Sequence, residues 1–290
     1  MMTVKIITDS AADLPIEIIE KYDIDYLPLL VLLDEKEYKD GETIKPKELF
    51  DGMREGKTYK TAQIPAGVFK NKFSEYAEEG QEYIYIAFSS ELSGTYQTAK
   101  LMKNQLNDQY PDFNLEIIDS KCASLGFGLV VLKAAQLAQE GKSKEEIMEA
   151  IHFYKDHMEH IFTVDDLEYL FRGGRVSKTA AFIGSLLRIK PLLHVEDGKL
   201  IPLEKIRGKK RVYKRMVELM DERGSDFKEQ TIGISHGDDL KAANKLKDMI
   251  IDKFDLSPEQ FVIHSIGGAV GAHAGPGTLA LFFLDEKPEQ

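Results

Sequence analysis

This chain of 290 residues has one cysteine, Cys122, so no disulfide can form within it and the cross-linked architectures of small secreted domains are excluded. Its first residues, MMTVKIITD, reach an acid without any apolar stretch of signal-peptide length, and the expected compartment is the cytoplasm. No apolar run approaches the ~20 residues that would span a bilayer, which limits membrane contact to a transient touch at the surface. Basic residues are also in deficit. With 38 Lys and Arg against 49 Asp and Glu, the net charge is −11, the wrong sign for a surface that displaces counterions from nucleic-acid phosphates.

Three chemical signatures are missing. A phosphate-cradling P-loop needs a glycine five positions before its Gly-Lys-Ser/Thr, but Asp51 stands there for Gly56-Lys57-Thr58 and Gln136 for Gly141-Lys142-Ser143. A nucleophile elbow needs glycines two residues either side of its serine, and Ser93 has Glu91 and Thr95 in those places. The histidines His152, His157 and His160 are close in sequence but lack acidic or thiol partners at zinc spacing, so no metal and no cofactor are expected. Cys122 has no neighbouring base and reads as a small buried thiol.

What is present alternates strands and helices, the pattern of an α/β fold. The length favours two domains, expected at residues 1–158 and 159–290, each a mostly parallel sheet with flanking helices. Val4-Lys-Ile-Ile-Thr-Asp9-Ser10 is a strand ending in a polar loop, and residues 15–22 have helical spacing. Residues 24–33 read as one buried strand, residues 45–56 and 66–80 as helices, and Thr61 sits just before a helix entrance marked by Pro65. A strand at residues 83–88 leads to Ser89-Ser-Glu-Leu-Ser93-Gly94-Thr95-Tyr96 and a helix at 97–106. Leu115-Glu-Ile-Ile-Asp119-Ser120 precedes a long helix to Gln139, and residues 144–158 form a helical connection to the second half. There, strands are expected at 160–164, 231–234, 261–266 and 279–284, and helices at 166–175, 177–187 and 239–254. Asp197-Gly198 marks a hairpin.

Asp9-Ser10, Thr61, Ser93 and Asp119-Ser120 all fall at strand ends or helix starts, which gather at the carboxyl edge of a parallel sheet, where ligands of open α/β folds bind. A helix start frees backbone N–H groups for an anion; Ser93 as an ordinary helix cap is the plainer alternative. His273 lies among five glycines and a proline between Gly267 and Gly277, a permissiveness that suits close backbone approach, although a core histidine is the simpler reading. Arg172 and Arg175 flank a double glycine, as a helix C-cap or as carboxylate ligands. The basic run Lys205, Arg207, Lys209, Lys210, Arg211, Lys214 and Arg215 is a solvated helix face or a patch that steers an acidic partner. A lipid or ester hydrolase built on Ser93 and His273 remains open on residue types, as does a binder of small anions or nucleotides at the same helix starts.

Taken together and in unbroken order, these segments closely resemble the DegV family: Thr8-Asp9-Ser10-Ala-Ala-Asp13-Leu-Pro15, Thr61-Ala-Gln63, Ser89 to Tyr96, Asp119-Ser120 with Ser124 and Gly126-Phe-Gly128, Leu170-Phe-Arg172-Gly-Gly-Arg175, Lys190-Pro191, Ser235-His236-Gly237 and Gly271-Ala-His273-Ala-Gly275-Pro-Gly277. The resemblance implies a two-domain α/β protein that is no enzyme itself. It would hold a long-chain fatty acid such as palmitate and present it to a separate fatty acid kinase, as a carrier serving phospholipid metabolism. By that resemblance Thr61 and Ser93, with Gly94 and Thr95 beside them, meet the carboxylate, and His273 and Arg172 complete the polar network. Many members carry serine after the threonine of Thr-x-Gln; this chain has Ala62. Arg207, Lys209 and Lys210 are the expected kinase-docking residues, and the apolar side chains at 29–33 and 181–187 the candidate lining of the tail pocket.

Overall fold

The structure, a computed structural model, describes residues 4–177 and 189–287. Most of the helix expected at 177–187, and the tail-pocket candidates at 181–187, lie outside the described residues. The first half runs β1 (Val4–Asp9), α1 (Ile16–Lys21), β2 (Asp25–Leu27), β3 (Leu30–Leu33), β4 (Lys36–Lys39), α2 (Pro46–Arg54), β5 (Lys60–Ala62), α3 (Ala66–Glu79), β6 (Glu82–Ala87), α4 (Thr95–Leu106), β7 (Leu115–Asp119), α5 (Ser124–Gln139) and α6 (Lys144–His157). Strands β2, β1, β6 and β7, in that order, form a parallel sheet. The expected single strand at 24–33 is two strands in two sheets. Pro28 cannot donate to a ladder and sits at the break, after which β3 pairs antiparallel with β4 and β5. Thr61 is therefore on a strand, opposite Val31, rather than at a helix entrance.

The second half runs β8 (Met158–Thr163), α7 (Glu168–Arg172), β9 (Ile189–Glu196), β10 (Lys199–Arg207), α8 (Lys209–Arg223), β11 (Ile232–His236), α9 (Leu240–Phe254), β12 (Phe261–Ser265), α10 (Gly268–Ala274) and β13 (Leu279–Leu284). Its sheet has the order β10-β9-β8-β13-β11-β12. The α/β architecture is as expected, but this sheet is not mostly parallel: among its hydrogen-bonded neighbours only β11 and β12 pair in parallel. The chain imposes this. Asp197 (φ 48°) and Gly198 (φ 81°) make the left-handed pair of a tight hairpin turn, which forces β10 back along β9. After α10 the chain re-enters beside the end of β11, where Gly237 N–H donates to the Thr278 carbonyl at 2.8 Å and His236 lies opposite Leu279, so β13 runs against β11.

Helix α5 is buried along nearly its whole length and packs against β1 on one side and β8, β11 and β13 on the other, joining the two sheets through one apolar cluster. Gly126 and Gly128 permit this: a Cβ on the first would come 2.4 Å from His160 Nε2, and on the second 2.4 Å from the Ala12 carbonyl. A second cluster lies under α8 and α9, and a third joins β3, α2 and α10. No helix among the described residues is long and apolar enough to cross a membrane.

Candidate functional site

Between the sheets lies a cavity of about 200 Å³. Its wall is largely apolar, with Leu29, Phe88, Phe162, Leu200, Val270 and Phe282 contributing, and its polar groups include Thr61, Gln63, Ser93, Ser124, Arg175 and His273. The carboxyl-edge expectation thus holds for Ser93, which the loop after β6 supplies. Asp9 and Ser10, at the end of β1, line a different cleft, and the Asp119 carboxylate is used locally, accepting from Ser90 N–H at 3.0 Å and pairing with Lys121.

The loop after β6 turns sharply, with the N–H groups of Leu92 and Ser93 both donating to the Ser89 carbonyl. Ser93 is not the cap of α4; Gly94 holds that position without a side-chain bond. The Ser93 hydroxyl instead shares a 2.9 Å hydrogen bond with the Thr95 hydroxyl and accepts from Thr95 N–H at 3.3 Å. Thr95 is fully buried and is not on the cavity wall; it orients Ser93. Gly94 is on the wall, and a Cβ there would come 2.0 Å from Gln63 Oε1. Gln63 in turn donates to Thr98 Oγ1 at 2.7 Å, so the end of β5 is tied across the start of α4.

The glycine-rich stretch around His273 is a helix. α10 starts where Gly267 and Gly268 N–H donate to Asp13 Oδ1 and Asp40 Oδ1 at 2.8 and 2.6 Å. It packs closely on α2 at Gly271, where a Cβ would come 2.9 Å from Phe50, and ends at Gly275 with φ 82°. This carries His273 to Thr61, with Nε2 2.6 Å from Oγ1. The other ring face is backed by Gly173, whose Cβ would come 2.1 Å from Nδ1. Burial, with the nearby Arg175 charge adding to it, pushes His273 down to about 4, so the imidazole is neutral at pH 7.

The arginine on the wall is Arg175 and not Arg172. α7 ends at Arg172, whose exposed guanidinium lies over the Tyr169 ring at 5.1 Å. Gly173 and Gly174, the latter with φ 72°, reverse the chain and bring Arg175 inward. Arg175 Nε and Nη2 donate to the Leu92 carbonyl at 3.2 and 3.1 Å, and Nη1 to the Gly173 carbonyl at 2.5 Å. One side chain thus clamps the residue before Ser93 to the residue behind His273. Its burial lowers its pKa from the ordinary arginine value.

His160, which sequence spacing marks only as a poor metal candidate, is also on the wall. Its ring sits between the Met158 carbonyl at 2.9 Å and Ala123 N–H at 3.2 Å, which fixes the Nδ1–H tautomer. Burial holds it at about 4. Its sequence signal is slight: one histidine within the apolar strand that ends at Thr163. Leu29 lines the cavity, whereas Val31 is core beneath β3. Cys122 is buried and burial pushes its thiol up. No hydrogen bond joins Ser93 to His273, and among the described residues no carboxylate orients that histidine. No group of acidic, histidine or cysteine side chains there could share a metal ion.

Residues 3–286 match the family model described as an uncharacterised protein of the DegV family. A DegV domain-containing protein of Clostridium perfringens is 42% identical over 287 residues, covering 98% of each chain. A solved structure described as fatty acid binding of a DegV family protein from Thermus thermophilus superposes with a TM-score of 0.87 at 28% identity, over 97% of this chain and 99% of that one. DegV of Bacillus subtilis, described as a fatty acid binding protein, gives 0.83 at 31% identity over 97% and 99%. The chain belongs to the DegV family.

Proposed function

We propose that this protein binds one long-chain fatty acid, with the acyl chain in the cavity between the sheets and the carboxylate held by the hydroxyls of Thr61 and Ser93. The observation that carries this reading is the grouping of Thr61, Ser93, His273 and Arg175 on the wall of a cavity that is otherwise apolar. Hydroxyls donate to either carboxylate oxygen, and the neutral His273 imidazole orients Thr61 without cancelling the ligand's charge. Arg175 holds the two sides of the polar end at a fixed separation. Each buried methylene contributes about 0.8 kcal/mol, so a chain of about sixteen carbons supplies on the order of 10 kcal/mol. Affinity then resides in the tail, and the polar end sets direction. Solved relatives described as fatty-acid-binding proteins support the ligand class.

The protein acts as a carrier and not as a catalyst. The separation of Ser93 from His273 in the hydrogen-bond network, with no orienting acid, disfavours hydrolysis. The acid would be presented in the cytoplasm, between domains at residues 1–158 and 159–290, to a kinase that brings ATP and metal, with membrane contact transient at most. Docking falls to Arg207, Lys209 and Lys210, which are exposed around the start of α8. Lys209, Lys210 and Arg211 occupy that helix's first turn, which carries no acid, an arrangement the helix dipole disfavours and a partner's acidic surface would offset. Lys209 now lies 3.8 and 3.7 Å from Asp165 and Asp239.

Native mass spectrometry of the purified protein tests the ligand class. A bound mass in the fatty-acid range, with no ester turnover, is expected; an empty protein that cleaves esters overturns the reading. Charge reversal at Arg207 and Lys209 should slow kinase-dependent acyl phosphate formation with lipid occupancy unchanged, and unaltered turnover would remove the docking assignment.

A further inference from the structure

A second cleft of about 740 Å³ opens on the other side of the start of α10. It is within the size range of small-molecule sites, roughly 300–1,000 Å³, and its character is the reverse of the first. Asp9, Asp13 and Asp40 line it, each at most 5% exposed, and among the described residues none of them forms an ion pair. Burial raises all three carboxyls, Asp9 to about 7, and Asp40 adds its charge to the effect on both Asp9 and Asp13. The basic side chains at the rim are engaged elsewhere: Lys45 with the Gly41 carbonyl, Lys47 with Asp51.

An acidic cluster alone would mean little. A separate observation points to a ligand. Among the described residues, the buried side-chain polar atoms without a partner are Asp40 Oδ2, His236 Nδ1 and His264 Nδ1, and all three residues lie on the wall of this one cleft. Asp40 is 1% and His236 9% exposed. The two histidines are on the neighbouring parallel strands β11 and β12, offset by one residue pair. Burial lowers the pKa of both, so at pH 7 each ring is neutral and keeps one lone pair to offer.

We propose that this cleft binds a small organic ammonium compound, whose N–H groups donate to Asp40 and to the histidine rings. An ammonium presents several donors at once, answering the unpaired acceptors, and its charge favours the ionised form of the buried Asp40 carboxyl. A metal ion fits less well, because among the described residues no group of three acidic, histidine or cysteine side chains could hold one, whereas N–H groups spread along an organic ammonium compound can reach acceptors that stand apart. The site is distinct from the fatty-acid cavity; Ser124, on that cavity's wall, separates the two by bonding to Asp13 Oδ2 at 2.5 Å and to Ser235 Oγ at 2.8 Å.

Calorimetric titration of the full-length protein with putrescine tests the proposal, with glycerol, inorganic phosphate and Mg²⁺ as comparison probes. Saturable binding of putrescine is expected, weakened about tenfold or more in both His236→Leu and Asp40→Asn, with palmitate binding by His236→Leu unchanged. Asp40 also holds α10, so His236→Leu keeps the test valid if Asp40→Asn fails to fold. No saturable putrescine binding, equal binding of glycerol, binding of phosphate or Mg²⁺ alone, or putrescine affinity unchanged in His236→Leu would overturn it.

Discussion

The apolar cavity and the acidic cleft lie back to back, separated by the Asp13–Ser124–Ser235 hydrogen bonds and the start of α10, yet their chemistry is opposite. In the first, hydroxyls and neutral imidazole sit on an apolar wall, and Arg175, the one cation among its described residues, is spent on backbone carbonyls. In the second, carboxyls gather, and the lysines at its rim, Lys45 and Lys47, bond to the Gly41 carbonyl and to Asp51 instead. The same sheet edge supplies both, through the loop after β6 in one case and the loop after β1 in the other. Strand-end loops of an α/β sheet therefore do not define one site. Which residues meet is decided by what packs over them, here α10, whose first residues face the acids and whose His273 faces the hydroxyls.

Filling the apolar cavity should break the contrast most strongly. Ala280, buried between β8 and β11 with its side chain on the cavity wall, becomes an obstruction in Ala280→Phe. Losing room for three or four methylenes costs about 2.5–3 kcal/mol, roughly a hundredfold in palmitate affinity, measurable by displacement of a fluorescent fatty acid while circular dichroism reports the fold. Removing one hydroxyl acts on the polar end alone. Thr61→Val or Ser93→Ala should each weaken palmitate by roughly tenfold or more, since a hydrogen bond to a charged group contributes about 1.5–3 kcal/mol, and should affect hexadecanol much less.

Acid sharpens the comparison because the histidines of the first cavity and the carboxyls of the second respond with opposite signs. His160 and His273 are held at about 4 when folded and return to about 6.5 when unfolded. The unfolded chain takes up those protons first as pH falls, so stability is lost between about 6.5 and 4, by up to on the order of 3 kcal/mol for each group. Asp9 goes the other way. Its carboxyl rises to about 7 on folding, so the folded chain binds that proton first and gains stability as pH falls from about 7 to 4. Thermal melts should show His273→Gln flattening the acid-induced loss and Asp9→Asn steepening it. The smallest effect is a contrast of neighbours: Arg172→Ala should leave palmitate binding within twofold, whereas Arg175→Ala, which frees Leu92 and Gly173, should weaken it several-fold.

Much of the chain was legible from local pattern. The helices at 144–157 and 240–254 have their caps written in Ser143, Glu146 and Asp239, and the hairpin is announced by Asp197-Gly198. Strand direction in the second sheet was not, because β13 is buried on both faces and an apolar run reads the same either way. Thr61 and Ser93 could be picked out as hydroxyls near element ends, and both line the cavity. Arg172 and Arg175 differ by three residues, and only the turn through Gly174 decides which one points inward. The glycines around His273 read as a loose loop; in the fold they let a short helix approach α2 and Thr61. His160 is set by a bond from Ala123, 37 positions away, and the second cleft joins Asp40 to His236 and His264; local sequence holds no signal for either.

The account rests on the carboxylate being gripped by the hydroxyls of Thr61, which is paired with His273, and of Ser93, both on the cavity wall. Carbon-13 NMR of palmitate labelled at its carboxyl carbon, bound to the wild-type protein and to the Thr61→Val and Arg172→Ala variants, tests this most directly. One bound carboxyl signal is predicted, displaced in Thr61→Val and unmoved in Arg172→Ala. The same signal in all three proteins, or one that titrates with solvent as the free acid does, would contradict it.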